Sequence, residues 1–277
     1  MPENASNDGP DTSRDGTALA QWVKQLAAAA FAVFAVVLFL RVAIGPPKPE
    51  LDHSGEAARL RIASSVLAAA VRDEIGKGQA LLLTRPAIDS GTIPELVEAV
   101  KEGLEEGFGG RVKLDVAAPE FTEQIGMRLS GKPRHELPDM NRWMPPLGTW
   151  FDDEVLAAVA AKHADCDVIV SMVGLPDSPN MVALQELPAF AAGGGPRFAV
   201  VDGPLPEAGV VRHLFQTRRL IAAVVPQSCW ASAYPESAPE DRQTTFESAS
   251  TLLTPGNLDR ALNVCPNILQ RKNLLKE

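Results

Sequence analysis

Only three of the 277 residues are cysteine. No two of them stand at the C-x-x-C spacing of a structural zinc site or a thioredoxin-like redox motif, and three are too few for a disulfide scaffold. Aromatic residues make up 5% of the chain, with a single tyrosine, although 45% of the residues are hydrophobic. Together with 23 prolines and 21 glycines, these totals exclude collagen-like, knottin-like and wholly disordered chains. Basic charge is also short: 26 Lys and Arg stand against 35 Asp and Glu, a formal net charge of -9. No gathering of Lys and Arg is visible, and a nucleic-acid binder needs one to meet phosphates. Missing too are the G-x-S-x-G elbow, the phosphate-cradling G-x-x-x-x-G-K-[ST], a G-x-G-x-x-G after the first strand, and H-E-x-x-H. No cofactor or metal is therefore expected.

What is present begins with the segment 22–44, uncharged from Gln25 to Leu40 and flanked by Lys24 and Arg41. It is long enough to span a hydrocarbon core of roughly 30 Å at about 1.5 Å per helical residue. A cleaved signal peptide is the competing reading. Against it, the head 1–17 carries Glu3, Asp8, Asp11 and Asp15 with only Arg14, where a signal peptide wants a basic leader. Cleavage after Gly45 would also leave Pro46 and Pro47 at the new terminus. The expectation is an uncleaved single-pass anchor over 18–44, in contact with lipid through 22–44, after a disordered head. Arg14 and Lys24 balance Arg41 and Lys48, so the positive-inside count is a tie. A short head with a large folded tail is the usual layout of a signal anchor whose tail is exported, and the folded part is expected to be extracytoplasmic. There Cys229 and Cys265 are able to pair.

Three prolines make 45–51 a stiff spacer. Over 52–76, Leu60, Ala63, Leu67, Ala70, Val71 and Ile75 recur at helical spacing and predict an amphipathic helix. The rest of the domain, 52–277, alternates short apolar runs with helical patterns. The runs 80–84 (ALLLT), 112–117 (VKLDVA), 168–173 (VIVSMV), 198–202 (FAVVD) and 221–225 (IAAVV) read as buried strands, and 246–254 as a sixth, edge strand. Capping boxes at Thr92/Glu95 and Thr149/Asp152 predict helix starts, a short helix is expected over 121–129, and Thr254-Pro255 is expected to cap a last helix. Strands joined by helices pair in parallel through right-handed crossovers. The predicted fold is α/β: one doubly wound, mainly parallel sheet of five or six strands, in the expected order 2-1-3-4-5, with helices on both faces.

In such a sheet, ligands bind outside the carboxyl ends of the strands, where loops splay and helix N-termini point inward. That rule nominates Thr84, Arg85, Asp89 and Ser90 after the first strand, Gly174 and Asp177 after the third, Asp202 with Gly203 after the fourth, and Gln227, Ser228 and Trp230 after the fifth. The connection 119–150 is far longer than the usual two to six residues. It carries Trp143 and Trp150 with Arg134 and Arg142, apolar cover and positive charge together, and is expected to serve as a lid or a partner-binding loop. Other groupings have plainer readings. Asp152-Asp153-Glu154 meets a helix dipole, His135-Glu136 with Asp139 lies in a solvated loop, and Cys166 is a buried structural thiol.

The stretch ALLLTRPAIDSGTIPELVEAVKEGLEEGFGGRVKLDV resembles the opening strand, helix and strand of the type I periplasmic binding proteins. DCDVIVSMVGLPDSP is similar to the third-strand element of that fold, and FAVVDG to the fourth. The resemblance implies a flavodoxin-like α/β lobe, with Asp89 and Ser90 at the family's first ligand-contacting loop and Asp177 at a later one. Members of that family close two such lobes on a ligand, and this chain has residues for one. Two functions stay open. The first is a membrane-anchored noncatalytic binding or interaction domain of an envelope-associated complex for sensing, transport or assembly. Its partners would be proteins or further copies of the chain, paired through the 52–76 helix, with a small-molecule or anionic ligand. The second is a membrane-anchored hydrolase or transferase working at the strand ends. No nucleophile paired with a base is visible, which favours the first.

Overall fold

The computed structural model describes residues 53–86, 93–136, 145–176, 187, 190, 194–226, 246 and 249–269. The head, the expected anchor and the spacer lie outside them, and the described residues belong to the unit His53–Glu277. Among the described residues no helix is long and apolar enough to cross a membrane.

Six strands form one sheet: β1 (Gly78–Leu83), β2 (Val112–Ala117), β3 (Val168–Ser171), β4 (Arg197–Val201), β5 (Leu220–Pro226) and β6 (Ser250–Leu253). Their spatial order is β2-β1-β3-β4-β5-β6. The first five are parallel neighbours, and β6 closes the sheet antiparallel to β5. The apolar runs have a direct physical cause. Successive side chains of a strand point to opposite faces, and here both faces are covered, so Ala80, Leu81, Leu82 and Leu83 are all fully buried. Leu81 and Leu83 enter one core together with Ile169, Val200 and Ala223. Ala80 and Leu82 enter the other with Val170, Ala199 and Val224.

Helices α1 (Ser54–Ile75) and α2 (Pro94–Phe108) cover the second of these faces. The first is covered by α4 (Asp153–Lys162), α5 (Ala208–Gln216) and α6 (Leu258–Val264), with the short α3 (Glu123–Ser130) beside them. The predicted stripe of α1 is the buried one: Leu60, Ala63, Leu67 and Val71 are at most 2% exposed. Each such leucine contributes about 1.5–3 kcal/mol relative to an exposed one. The face that would have paired with a neighbouring copy is thus occupied within the chain, by α2, β4 and β5.

Several boundaries differ from the sequence expectation. Helix α4 begins one turn after Thr149, because Asp152 is its cap, accepting from the Val155 N–H at 3.1 Å. The Thr149 hydroxyl instead donates to the Pro146 carbonyl inside a 3-10 turn, Leu147–Thr149. In α2, Thr92 lies outside the described residues, and Ile93 precedes Pro94 at the first turn with no side-chain cap. The last helix is preceded by Asn257 and not by Thr254, whose N–H donates to the Asn257 side chain. Strand β6 starts at Ser250, and Phe246, expected inside it, is a buried residue of the α1-side core.

The α1–α2 contact is unusually close. A Cβ at Gly103 would overlap the Arg61 carbonyl oxygen, and one at Gly107 would overlap that of Ser65 and stand 2.6 Å from the Ala68 Cβ. Two glycines one turn apart let the helix backbones meet. Replacing Gly107 by Ala is therefore expected to cost about 1–3 kcal/mol by overpacking. Gly55→Ala, in the first turn of α1 with open space around it, is expected to gain about 0.4–1 kcal/mol. Urea unfolding of the full chain measures both as shifts in midpoint at unchanged slope.

Candidate functional site

The chain runs from β1 outward to β2 across the α2 face, then returns across the α4 face to β3 on the other side of β1. Strand order reverses there, and the carboxyl ends of β1 and β3 part company at that point. The parallel register brings Leu83 beside Ala117 and Ser171, Ser171 beside Val200, and Val201 beside Val224. These ends share one rim, which Ser250 joins through its pairing with Pro226.

Of the nominated residues, Thr84, Arg85, Gly174 and Asp202 lie on this rim within the described chain. Thr84 is buried and prolongs the β1–β2 ladder. Its N–H and its hydroxyl both donate to the Ala117 carbonyl, at 2.8 and 3.3 Å. Arg85 follows, half-buried. Beyond β3, the buried Ser171 hydroxyl donates to the Gly174 carbonyl at 2.6 Å. Gly174 has φ +84°, and a Cβ there would overlap Pro204. The Leu175 N–H donates to the Pro204 carbonyl at 2.9 Å, and Gly203 lies directly against the Gly174 backbone. The loops after β3 and β4 are thereby locked together by main-chain contact. The glycine is required for that approach and has no side chain to offer a ligand.

Asp202 is the rim's most unusual residue. It adopts φ +55° without being glycine, a conformation that costs of order 1–3 kcal/mol and is found disproportionately at functional positions. Its carboxylate Oδ2 stands 3.1 Å from a guanidinium nitrogen of Arg59, and the two side chains are 13% and 7% exposed. Arg59 belongs to the second turn of α1, so the ion pair joins the helix to the end of β4. In so buried a setting, the desolvation penalty of a pair rivals its Coulombic attraction. The pair fixes position more than it adds stability.

Arg59 was not among the nominated residues. The available signal was its place on the stripe 59, 63, 67, 71, where a charge interrupts an otherwise apolar helix face. Asp89, Ser90, Asp177, Gln227, Ser228 and Trp230 lie outside the described residues, as do Arg142 and Trp143. Of the nominated residues of the 119–150 connection, Trp150 and Arg134 are described. Trp150 is 1% exposed within the α4-side core. Its ring lies 5.1 Å from that of Phe121, and its indole N–H donates to the Pro145 carbonyl. Arg134 is exposed and pairs with Glu123 at 2.7 Å. Among the described residues no three His, Cys, Asp or Glu side chains converge to hold a metal ion.

Asp202→Asn keeps a residue that tolerates the left-handed backbone but takes the carboxylate charge away from the buried Arg59 guanidinium. The expected loss is about 3–5 kcal/mol. Adding Arg59→Met, which removes the guanidinium charge at similar volume, should restore most of it. Equilibrium unfolding of the two single variants and the double variant measures the coupling; simple additivity would contradict the pairing.

No protein-family model matches the chain, and no curated protein does. Similar solved structures include the solute-binding protein of an ABC transporter from Burkholderia graminis in complex with D-arabinose. It is 12% identical, with a TM-score of 0.40, over 72% of this chain and 60% of that one. A fructose-binding periplasmic domain of a hybrid two-component system gives 15% identity and a TM-score of 0.40, over 76% and 61%. An arabinose-binding protein from Geobacillus stearothermophilus gives 11% and 0.37, over 73% and 62%. The matched part of this chain thus spans about 60% of the length of these proteins.

Proposed function

We propose that the chain is a membrane-anchored, noncatalytic binding domain that receives a small polar ligand at the β1–β3 end of the rim and faces an extracytoplasmic space. The observation that carries this reading is the buried Arg59–Asp202 pair, held by a left-handed aspartate at the carboxyl end of β4. A binding function is favoured over catalysis by what the described rim groups already do. The Thr84 and Ser171 hydroxyls donate to backbone carbonyls, and the Asp202 carboxylate meets a guanidinium. None is paired as a nucleophile with a base. In this reading Asp89, Ser90, Asp177, Gln227 and Trp230 complete the ligand shell, and segment 22–44 holds the domain at a membrane.

The extracytoplasmic side is supported by sulfur chemistry. Cys265 is disulfide-bonded, a state that persists in oxidising compartments. Cys166 is a free, buried thiol. Burial and the neighbouring carboxylates of Asp165, Asp115 and Asp167 push its pKa above the usual thiol value, which suppresses the reactive thiolate.

Ligand-dependent thermal stabilisation of the full chain tests the binding function, with D-arabinose and fructose as first probes within a panel of neutral and acidic small molecules. A saturable rise in Tm that Arg85→Ala or Asp89→Ala abolishes is expected. A flat response across the panel, or turnover of any member, would contradict the reading. Thiol titration tests the compartment. The unreduced, denatured chain should show one reactive thiol and the reduced chain three, while the folded protein should show none at pH 8. Protease added outside intact cells should remove a C-terminal tag once the outer barrier is opened.

A further inference from the structure

At the β2 end of the rim, beside the carboxyl end of β2, a cleft of about 310 Å³ runs between α3 and α4. It belongs to neither the Arg59–Asp202 pair nor the β1–β3 crevice. Its floor is Ala117 and Ala118, its walls are Ile125, Val155 and Val159, and the exposed Ala158 stands at its open side. The room exists because three side chains stop at Cβ where α4 and the end of β2 face one another.

Charge is confined to the two ends of the cleft. At one, Arg128 of α3 reaches across to Asp152 and to Glu154, the latter at 2.6 Å. At the other, Lys162 at the end of α4 meets Glu120 of the loop after β2. The hydrogen bond and charge of Lys162 hold the Glu120 carboxyl below its usual range, so this pair stays ionised near neutral pH. Across the two ends three carboxylates face two cations. An anionic ligand would meet excess negative charge and would have to break an existing pair to gain a partner. The other polar groups at the margin are Thr122, Gln124 and His163.

We propose that this cleft binds a neutral, mainly apolar small molecule with one hydrogen-bonding group. The apolar body lies on the alanine floor and the polar group meets Thr122, Gln124 or His163. The volume sits at the lower end of the roughly 300–1,000 Å³ typical of small-molecule sites, so the ligand is fragment-sized.

The test uses the full chain in detergent with ¹³C-methyl-labelled Ala, Ile and Val, titrated with 1-indanol as a neutral probe and indane-1-carboxylate as an anionic one. Saturable shifts confined to the methyls of Ala117, Ala118, Ala158, Val155 and Val159 are expected with 1-indanol. The carboxylate should bind at least tenfold more weakly. Ala158 is exposed, so Ala158→Phe fills the cleft from its open side and should abolish the shifts while leaving the thermal midpoint unchanged. If that variant misfolds, Ala158→Leu should weaken binding at least tenfold. Absence of saturation, shifts spread across the chain by detergent partitioning, equal binding of the carboxylate, or persistence of the shifts in the filled variant would each overturn the proposal.

Discussion

A parallel sheet buried on both faces can exist only where helices cover both faces, and most of this structure follows from that constraint. The four central strands are too apolar to meet water on either side. Helices α4, α5 and α6 cover one side with segments that connect or follow the strands. On the other side α2 covers the β1–β2 end. The β4–β5 end is covered by α1, which precedes the first strand and connects no two of them. Without α1 half of one sheet face would be bare. The helix nearest the expected membrane segment is therefore a core element.

That demand explains the sequence of the α1–α2 contact. Two helices laid side by side on one twisted sheet must approach closely to leave no void, and Gly103 and Gly107 remove the side chains that would keep them apart. It also fixes where the first turns of α1 arrive. The helix starts at the carboxyl ends of the strands, where Arg59 reaches Asp202, and ends at their amino ends, where Glu74 meets Arg197. A residue of the first described helix thus sits at the rim of strand ends. Gly174, Gly203 and Pro204 lock the loops after β3 and β4 to one another.

The central strands were legible because burial on both faces leaves an unbroken apolar run, as in ALLL and VIV. Strand β2 was read as a buried strand like the others, but it stands at the edge of the sheet, where only Val112 of its six residues is buried and Lys113 and Val116 are exposed. Parallel order and helix placement followed from the alternation of the two patterns. Helix starts were less legible, since Thr149 and Asp152 both suit a cap and only the Pro146 carbonyl, a three-dimensional neighbour, decides between them. Trp150 looked like lid material because tryptophan and arginine share its segment. Its burial depends on Phe121 and on the core behind α4, which no local pattern reveals. Arg59 was missed because a count of apolar positions passes over a charge, and its partner is remote in sequence.

The central claim, that α1 is an integral layer of the sheet domain, is tested most directly by hydrogen–deuterium exchange of the full chain. If the helix supplies half of one core face, amides from Leu60 to Val71 should exchange as slowly as those of β4 and β5, through the same cooperative opening. Fast exchange of that helix beside protected strands would mean that the sheet stands without it, and the account would fail.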